Sequence, residues 1–282
     1  MKAQWPTVAI VGVGMIGGSI GKALLTRKLS GRVIGVGRSQ ASLASARRAR
    51  VATETTLDLA AAAAADLVVV AAGVAAIPGL LDALDDVVAP GTLITDAGST
   101  KASIVSAWER RRRSRRGRFV GSHPIAGSHR RGADAADATL FTGRVAVVTP
   151  AAATPARDAE EVATLWAALG STVFMMPPRE HDRILAATSH APHLLAAAIV
   201  AATPPATHPF TAGGWRDTTR IAAGDPELWA DILLDNAGQV AGAMKRFAVA
   251  AEKMLSAIEA GDRGRLVTLL RRAKDARDAV GS

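Results

Sequence analysis

The 282-residue chain has no cysteine, which removes disulfides, thiolate zinc sites and cysteine nucleophiles from consideration. That absence fits a reducing compartment, and a cytoplasmic location is expected. Aromatic residues are scarce, 4% against 49% hydrophobic residues overall, so the core must be built largely from Ala, Val, Leu and Ile. Long apolar runs are also lacking. "LVVVAAGVAAI" and "LLAAAIVAA" stop at Pro78 and Thr203. Both fall short of the ~18–20 residues of a membrane span, so no membrane partner is expected. The opening "MKAQWPTVAIVGVGMIGGSIG" resembles a secretory leader only superficially, because its glycines follow a phosphate-loop spacing and no A-x-A site follows closely.

Positive charge is in excess. Seven arginines crowd residues 110–118, "RRRRSRRGR", and account for most of the formal net charge of +9. A basic run can contact nucleic acid. With little aromatic interleaving for base stacking, it reads instead as the solvated end of a surface helix, and no nucleic-acid partner is expected.

Seven short β-rich runs punctuate the first 177 residues: "TVAIVGVG", "RVIGVG", "DLVVVAA", "GTLITD", "RFVGSHP", "GRVAVVTP" and "STVFMMP". Helix patterns lie between them, near 15–30, 40–50, 56–65, 78–88 and 155–169. The alternation predicts a parallel, doubly wound Rossmann-type α/β sheet. After Pro177-Pro178 the strand signal stops, and helices are predicted over 179–202, 226–260 and 262–279. The expected organisation is a dinucleotide-binding domain, 1–178, followed by an all-helical domain, 179–282. About 100 helical residues make a small core for a self-sufficient domain, so pairing with a second copy is expected there.

Gly12-Val13-Gly14-Met15-Ile16-Gly17 is G-x-G-x-x-G, placed directly after a strand and at the opening of a helix. Gly12 permits the tight turn, Gly14 lets backbone approach a pyrophosphate, and Gly17 lets helix and strand close. The phosphates would then sit at a helix N-terminus. Met15, Ile16 and Ala72 complete the candidate cofactor loop. An NAD site usually carries an acid about 20 residues on, for the ribose diol. Here the second strand ends in Gly37-Arg38-Ser39. Arginine and a hydroxyl suit a 2′-phosphate better, so NADP is expected, with NAD possible.

Three further segments carry polar chemistry. "DAGSTK" (96–101) ends a strand on the ligand-binding edge of an open sheet, where Ser99 or Thr100 could act on a ligand or simply cap the next helix. "GSHPIAG" (121–127) puts His123 just after another strand, in a glycine-flanked loop. "AGGWRDTTRIAAGDPELW" (212–229) supplies Arg216, Asp217 and Arg220; an arginine there is either a clamp for a carboxylate or part of a salt-bridge network. "TSHAPHLLAAAIVAA" (188–202) sets His190 and His193 three residues apart on an apolar helix.

Together "GVGMIGGS", "DAGSTK", "SHPIAGS", "TSHAPHLLA" and "AGGWRDTTRIAAGDPELW", in this order over nearly the whole chain, resemble the prephenate/arogenate dehydrogenase family. The resemblance implies a Rossmann domain followed by a helical dimerisation domain, and oxidative decarboxylation of prephenate to 4-hydroxyphenylpyruvate for tyrosine synthesis. It implies that His123 is the catalytic histidine on the ring C4 hydroxyl, oriented by Ser99. Arg220 would hold the ring carboxylate, and His193 and Gly213 would line the substrate pocket. Asp217 would support its electrostatics, and Trp229 would reach toward the partner subunit's site. His190 would brace the pocket. No metal is expected, since two imidazoles three apart lack a third ligand nearby.

The family motif usually continues H-P-[MI]-x-G-x-E, but His129 stands in the place of the acid, beside Arg130 and Arg131. A carboxylate would suit the ammonium of arogenate, whereas these cations suit the pyruvyl carboxylate of prephenate. Arogenate and 4-amino-4-deoxyprephenate are the alternative substrates. A β-hydroxyacid dehydrogenase or imine reductase shares the plan but centres on a lysine or another acid/base on the interdomain helix, and "TSHAPH" carries no lysine. A non-catalytic nucleotide sensor would need no base paired with a carboxylate clamp.

Overall fold

The computed structural model describes residues 4–110, 115–127 and 130–280. Eight strands form one sheet in the order β3-β2-β1-β4-β5-β6-β7-β8. They are β1 Thr7–Val11, β2 Arg32–Val36, β3 Glu54–Thr56, β4 Leu67–Val70, β5 Leu93–Asp96, β6 Arg118–Pro124, β7 Val145–Thr149 and β8 Thr172–Met175. The strands from β3 to β6 are parallel, as expected. β7 departs from the expectation, since it pairs antiparallel with β6, and β8 runs parallel to β7. The cause lies in the β6–β7 connection, whose described residues hold only a three-residue 3₁₀ turn, Ala133–Ala135, and no crossover helix. β3 was also missed. Residues 56–65 were read as helix, but the alanines form a 3₁₀ turn, Leu59–Ala64, capped by Asp58.

The strands are continuously apolar because both faces are covered. On β1, Val8 and Ile10 enter a core with Ile20, Leu24, Leu165 and Trp166, while Ala9 and Val11 enter the opposite core with Leu81, Leu84, Ile94 and Ile104. The helices supplying these faces are α1 Met15–Thr26, α3 Ile77–Val87, α4 Ala102–Arg110 and α5 Ala156–Ala168, with α2 Gln40–Arg48 beyond β2. Each fully buried Leu or Ile contributes about 1.5–3 kcal/mol. Strand order reverses between β1 and β4, which opens the crevice where dinucleotides bind in such sheets.

After β8 come α6 Pro178–Leu185, a five-residue π-turn Ala186–His190, and α7 Ala191–Ala202. These make one 25-residue helical run, long and apolar enough to cross a membrane by length and composition. The apolar stretch ending at Thr203 gave too short a length, because the helix continues upstream through polar residues. Core helices pass the same test, and His181, Asp182 and His190 in this run are buried and hydrogen-bonded within the protein. The π-turn falls before Pro192, which lacks an N–H and would crowd the preceding turn of a regular helix. α8 Gly213–Thr219 and α9 Pro226–Asp235 follow.

Residues 1–236 form one compact unit and 237–282 a second. The expected boundary at 178 marks the change from strands to helices; the division by compactness lies further on. The second unit is a hairpin of α10 Ala237–Glu259 and α11 Arg263–Asp278. The predicted single helix over 226–260 is interrupted at Asn236, which ends α9. The hairpin exposes Phe247, Val249, Leu255, Ile258 and Leu270.

The basic run is only partly described, since 111–114 lie outside the described residues. The Arg115 guanidinium stacks 3.9 Å over Trp108 and pairs with Asp82 and Asp85. Arg118 pairs with Asp158 and Glu161. These two arginines are held by the protein's own acids, of which Asp85 and Asp158 are buried.

Candidate active site

Gly12 adopts φ +101°, and a side chain there would also collide with the Ala71 carbonyl. A Cβ on Gly17 would strike the Gly12 carbonyl. Gly14 differs, since a Cβ there would meet no protein atom within 4 Å. It is the N-cap of α1 and gives no side-chain cap, so the first turn's N–H groups are open to an anion. These features fit a dinucleotide. Gly14→Ala is therefore expected to leave thermal stability unchanged while weakening dinucleotide binding at least ~10-fold, the cost of about one displaced backbone–phosphate contact. Titration by nucleotide fluorescence with parallel melting curves checks this; equal affinity would remove Gly14 from the site. Met15 and Ile16 open α1, and Ala72 lies half-buried just past β4.

Arg38 follows β2, is exposed, and has no ion pair among the described residues. Ser39 is not a free hydroxyl as read: its oxygen accepts the Ser42 N–H at 3.2 Å as the N-cap of α2. It retains a proton to donate.

The carboxyl ends of β5 and β6 carry the polar centre. Asp96, fully buried at the end of β5, accepts from the Gly98 and Ser122 N–H groups and forms an ion pair with the fully buried Lys101. Lys101 also donates to the Ser122 carbonyl at 3.0 Å. Trp166 donates from its indole to the Ser122 hydroxyl, tying α5 to the residue before His123. The "DAGSTK" loop is thus fixed from its two ends.

Ser99 and Thr100 do not cap α4. Its first free N–H groups, on Lys101 and Ala102, are accepted by the two carboxylate oxygens of Asp182, each at 2.8 Å and some 80 residues away in sequence. Nor does Ser99 orient His123, because no hydrogen bond joins them among the described residues. His123 is instead held by His181, Nδ1 to Nε2 at 2.9 Å, and His181 Nδ1 meets Asp182 at 2.8 Å. Burial, with His181, Lys101 and His190 nearby, pushes the His123 pKa well below its ordinary value, so the ring is neutral.

The two histidines of the helical run sit in different surroundings. His190 is buried and braces the helix, with Asn236 donating to its Nδ1 at 3.2 Å while also donating to the Asp182 carbonyl at 2.8 Å. Burial lowers its pKa to about 4. His193 lies flat on the Trp229 indole, ring centroids 3.6 Å apart, and its buried Nδ1 has no hydrogen-bond partner among the described residues. Trp229 thus stacks on a histidine of its own chain. Gly224 makes room for the stack, since any Cβ there would press on both rings.

The Arg220–Ala223 turn packs against α7, the helix that carries His193. Arg220 is exposed and has no ion pair among the described residues. Gly213 opens α8 with open space above it, and Asp217 is exposed on the same helix. His129 lies outside the described residues. Arg131, one of the cations beside it, pairs with Asp225 at 2.6 Å.

Sequence reasoning missed Asp96, Lys101, His181, Asp182, Gly224 and Asn236. The first two stood at the ends of a motif already singled out, with attention given only to its hydroxyls. His181-Asp182 offered the adjacent histidine and carboxylate, without any sign that they face β6.

A family model described as "Prephenate dehydrogenase, nucleotide-binding domain" matches residues 20–175, and one described as "Prephenate dehydrogenase, dimerization domain" matches 177–272. The chain is 32% identical to the prephenate dehydrogenase of Bacillus subtilis over 99% of this chain and 77% of that protein. It is 31% identical to the cyclohexadienyl dehydrogenase of Zymomonas mobilis, over 97% of this chain and 95% of that one. A crystal structure of prephenate dehydrogenase from A. aeolicus, in complex with hydroxyphenyl propionate and NAD+, superposes with a TM-score of 0.89 at 29% identity, covering 98% of each chain. With both of its halves matched and its fold shared, this chain belongs to the prephenate dehydrogenase family.

Proposed function

We propose that the protein is a prephenate dehydrogenase that uses NADP in preference to NAD and works as a homodimer. The observation that carries this reading is a neutral, half-buried His123 at the carboxyl end of β6, on a sheet whose β1–α1 loop fits a dinucleotide. When bound, the nicotinamide supplies the acceptor for the hydride leaving ring C4. His123 takes the C4 hydroxyl proton as the carbon is oxidised. The ring carboxylate then leaves as CO2, its bonding electrons aromatise the ring, and the phenolic oxygen recovers a proton. Arg220, an exposed cation beside α7 with no ion pair among the described residues, positions the ring carboxylate, with Asp217 and Gly213 on the same rim. His193, stacked on Trp229, lines the substrate pocket, and Ser99 lies on the loop beside the reacting centre.

Residues 179–282 form the substrate and dimerisation region in this reading. The match to a dimerization-domain model and the exposed apolar side chains of α10 and α11 support pairing there. A soluble enzyme of the cytoplasm is consistent with it. The preference for prephenate over arogenate rests on His129 and its neighbouring cations, and Arg131 is already neutralised by Asp225.

Steady-state reduction of NADP+ and NAD+ by the purified protein, with prephenate and arogenate supplied separately, tests the reading. Turnover of prephenate with NADP+ is expected. Turnover of arogenate alone overturns the substrate assignment, and turnover of neither overturns the activity. Arg38→Ala is expected to raise KM for NADP+ about 10- to 100-fold, the worth of one charge-assisted phosphate contact, and to leave KM for NAD+ unchanged. Equal effects on both nucleotides would remove Arg38 from the 2′-phosphate site.

A further inference from the structure

We infer that Asp182 and His181 are positioning residues that fix the tautomer of His123, so that its Nε2 carries the free lone pair. The inference rests on the reading of His123 as the base. Its geometry is a chain of two hydrogen bonds reaching from α6 to the end of β6: Asp182 Oδ1 to His181 Nδ1 at 2.8 Å, and His181 Nε2 to His123 Nδ1 at 2.9 Å.

The direction of each bond follows from what each atom can do. Asp182 also accepts from two backbone N–H groups, and these bonds with the bond to His181 hold its carboxyl below the usual range, so it is ionised and can only accept. His181 Nδ1 must then donate to it. Burial keeps His181 neutral, which leaves its Nε2 unprotonated and able only to accept. His123 Nδ1 must therefore carry the hydrogen, and Nε2, on the far side of the ring, is left as the acceptor for a substrate hydroxyl. In the step itself the hydroxyl O–H breaks and Nε2–H forms, while the transient imidazolium is stabilised through Nδ1–H by His181. This is the base–orienter arrangement of nucleophilic triads, with a second imidazole between base and carboxylate.

The anchor is rigid. Asp182 is pinned by the first turn of α4, and its own carbonyl is held by Asn236. The other groups near the two imidazoles are Lys101, already paired with Asp96, and His190, bonded to Asn236. Neither hydrogen-bonds to His123 or His181 among the described residues, so the chain has one polarity. A wholly structural role for His181 would be to fill the space behind β6, and a ring of similar size would do that.

Two measurements decide it. Nitrogen-15 NMR of histidine-labelled wild-type protein, with the His123 signals assigned by their loss in His123→Asn, reads the tautomer directly and needs no turnover. His123 is expected with the proton on Nδ1; a proton on Nε2 overturns the inference. His181→Phe keeps a flat aromatic ring, slightly larger than imidazole, and removes both ring nitrogens. Its kcat is expected to fall about 10- to 100-fold, part of the ~10²–10⁴ a positioned base supplies, with KM and nucleotide affinity unchanged. Wild-type kcat in this variant overturns it equally. If wild-type protein turns over none of the substrates, the proposed function fails while the NMR result still decides the tautomer.

Discussion

His123→Asn is expected to lose about 10²–10⁴ in kcat with prephenate, while affinity for the dinucleotide stays at the wild-type value. Asparagine fills similar space and can still donate to His181, but it cannot take a proton at neutral pH. The pH profile of the wild-type enzyme carries the same logic. The base works when neutral, and burial has moved the His123 pKa well below its ordinary value. Activity is therefore held as pH falls past the ordinary histidine range, and is lost only when the lowered pKa is crossed. Stopped kinetics across the acid range would read this limb in kcat/KM. A limb at the ordinary value would mean that His123 is solvated in the working enzyme. Unchanged kcat in the variant would take away its role and point to a nucleotide-binding sensor.

Lys101→Met carries the largest expected effect on stability, a loss of about 3–5 kcal/mol. Lys101 and Asp96 are both fully buried and paired with each other. Removing the ammonium leaves a carboxylate in the core with the Gly98 and Ser122 N–H groups as its remaining partners among the described residues, and its desolvation cost is no longer offset. Chemical denaturation would show the midpoint falling at constant m-value. The double variant Asp96→Asn/Lys101→Met is expected to regain part of the loss, because the stranded charge is gone. A loss under about 1 kcal/mol in the single variant would mean that the backbone donors alone suffice to hold Asp96.

Much of this molecule could be read without coordinates. Alternating β-rich and helical runs gave the doubly wound sheet, since an element buried on both faces must be apolar throughout. The spacing of Gly12, Gly14 and Gly17 marked the candidate phosphate loop, and a Cβ on Gly12 or Gly17 would indeed collide with backbone. Errors came where local pattern was weak. β3 is three residues long and polar enough to pass for a helix start. The alanines at 60–65 favour helix by propensity, yet Leu59–Ala64 forms only a 3₁₀ turn before β4. β7 reversed because strand direction depends on the connection, which composition does not encode.

The candidate site divides along the same line. The hydroxyl loop after β5 and His123, which falls within the end of β6 and not after it as expected, were visible because glycines bound both segments. The groups that hold them were not. Asp182 lies 59 positions beyond His123, and its contacts with Lys101 and Ala102 span 81 and 80 residues. No periodicity links such positions. The sequence by itself determined the strand–helix order and the family, and singled out the glycine loop and His123 as candidates, all of which depend on neighbours in the chain. Only the tertiary structure decided which side chains face that histidine, that Asp182 rather than Ser99 caps α4, and that Trp229 lies on His193. Those are contacts between elements, set by how α6, α7 and α9 pack, and hydrogen bonds in a dry interior are fixed by geometry that the linear pattern does not carry.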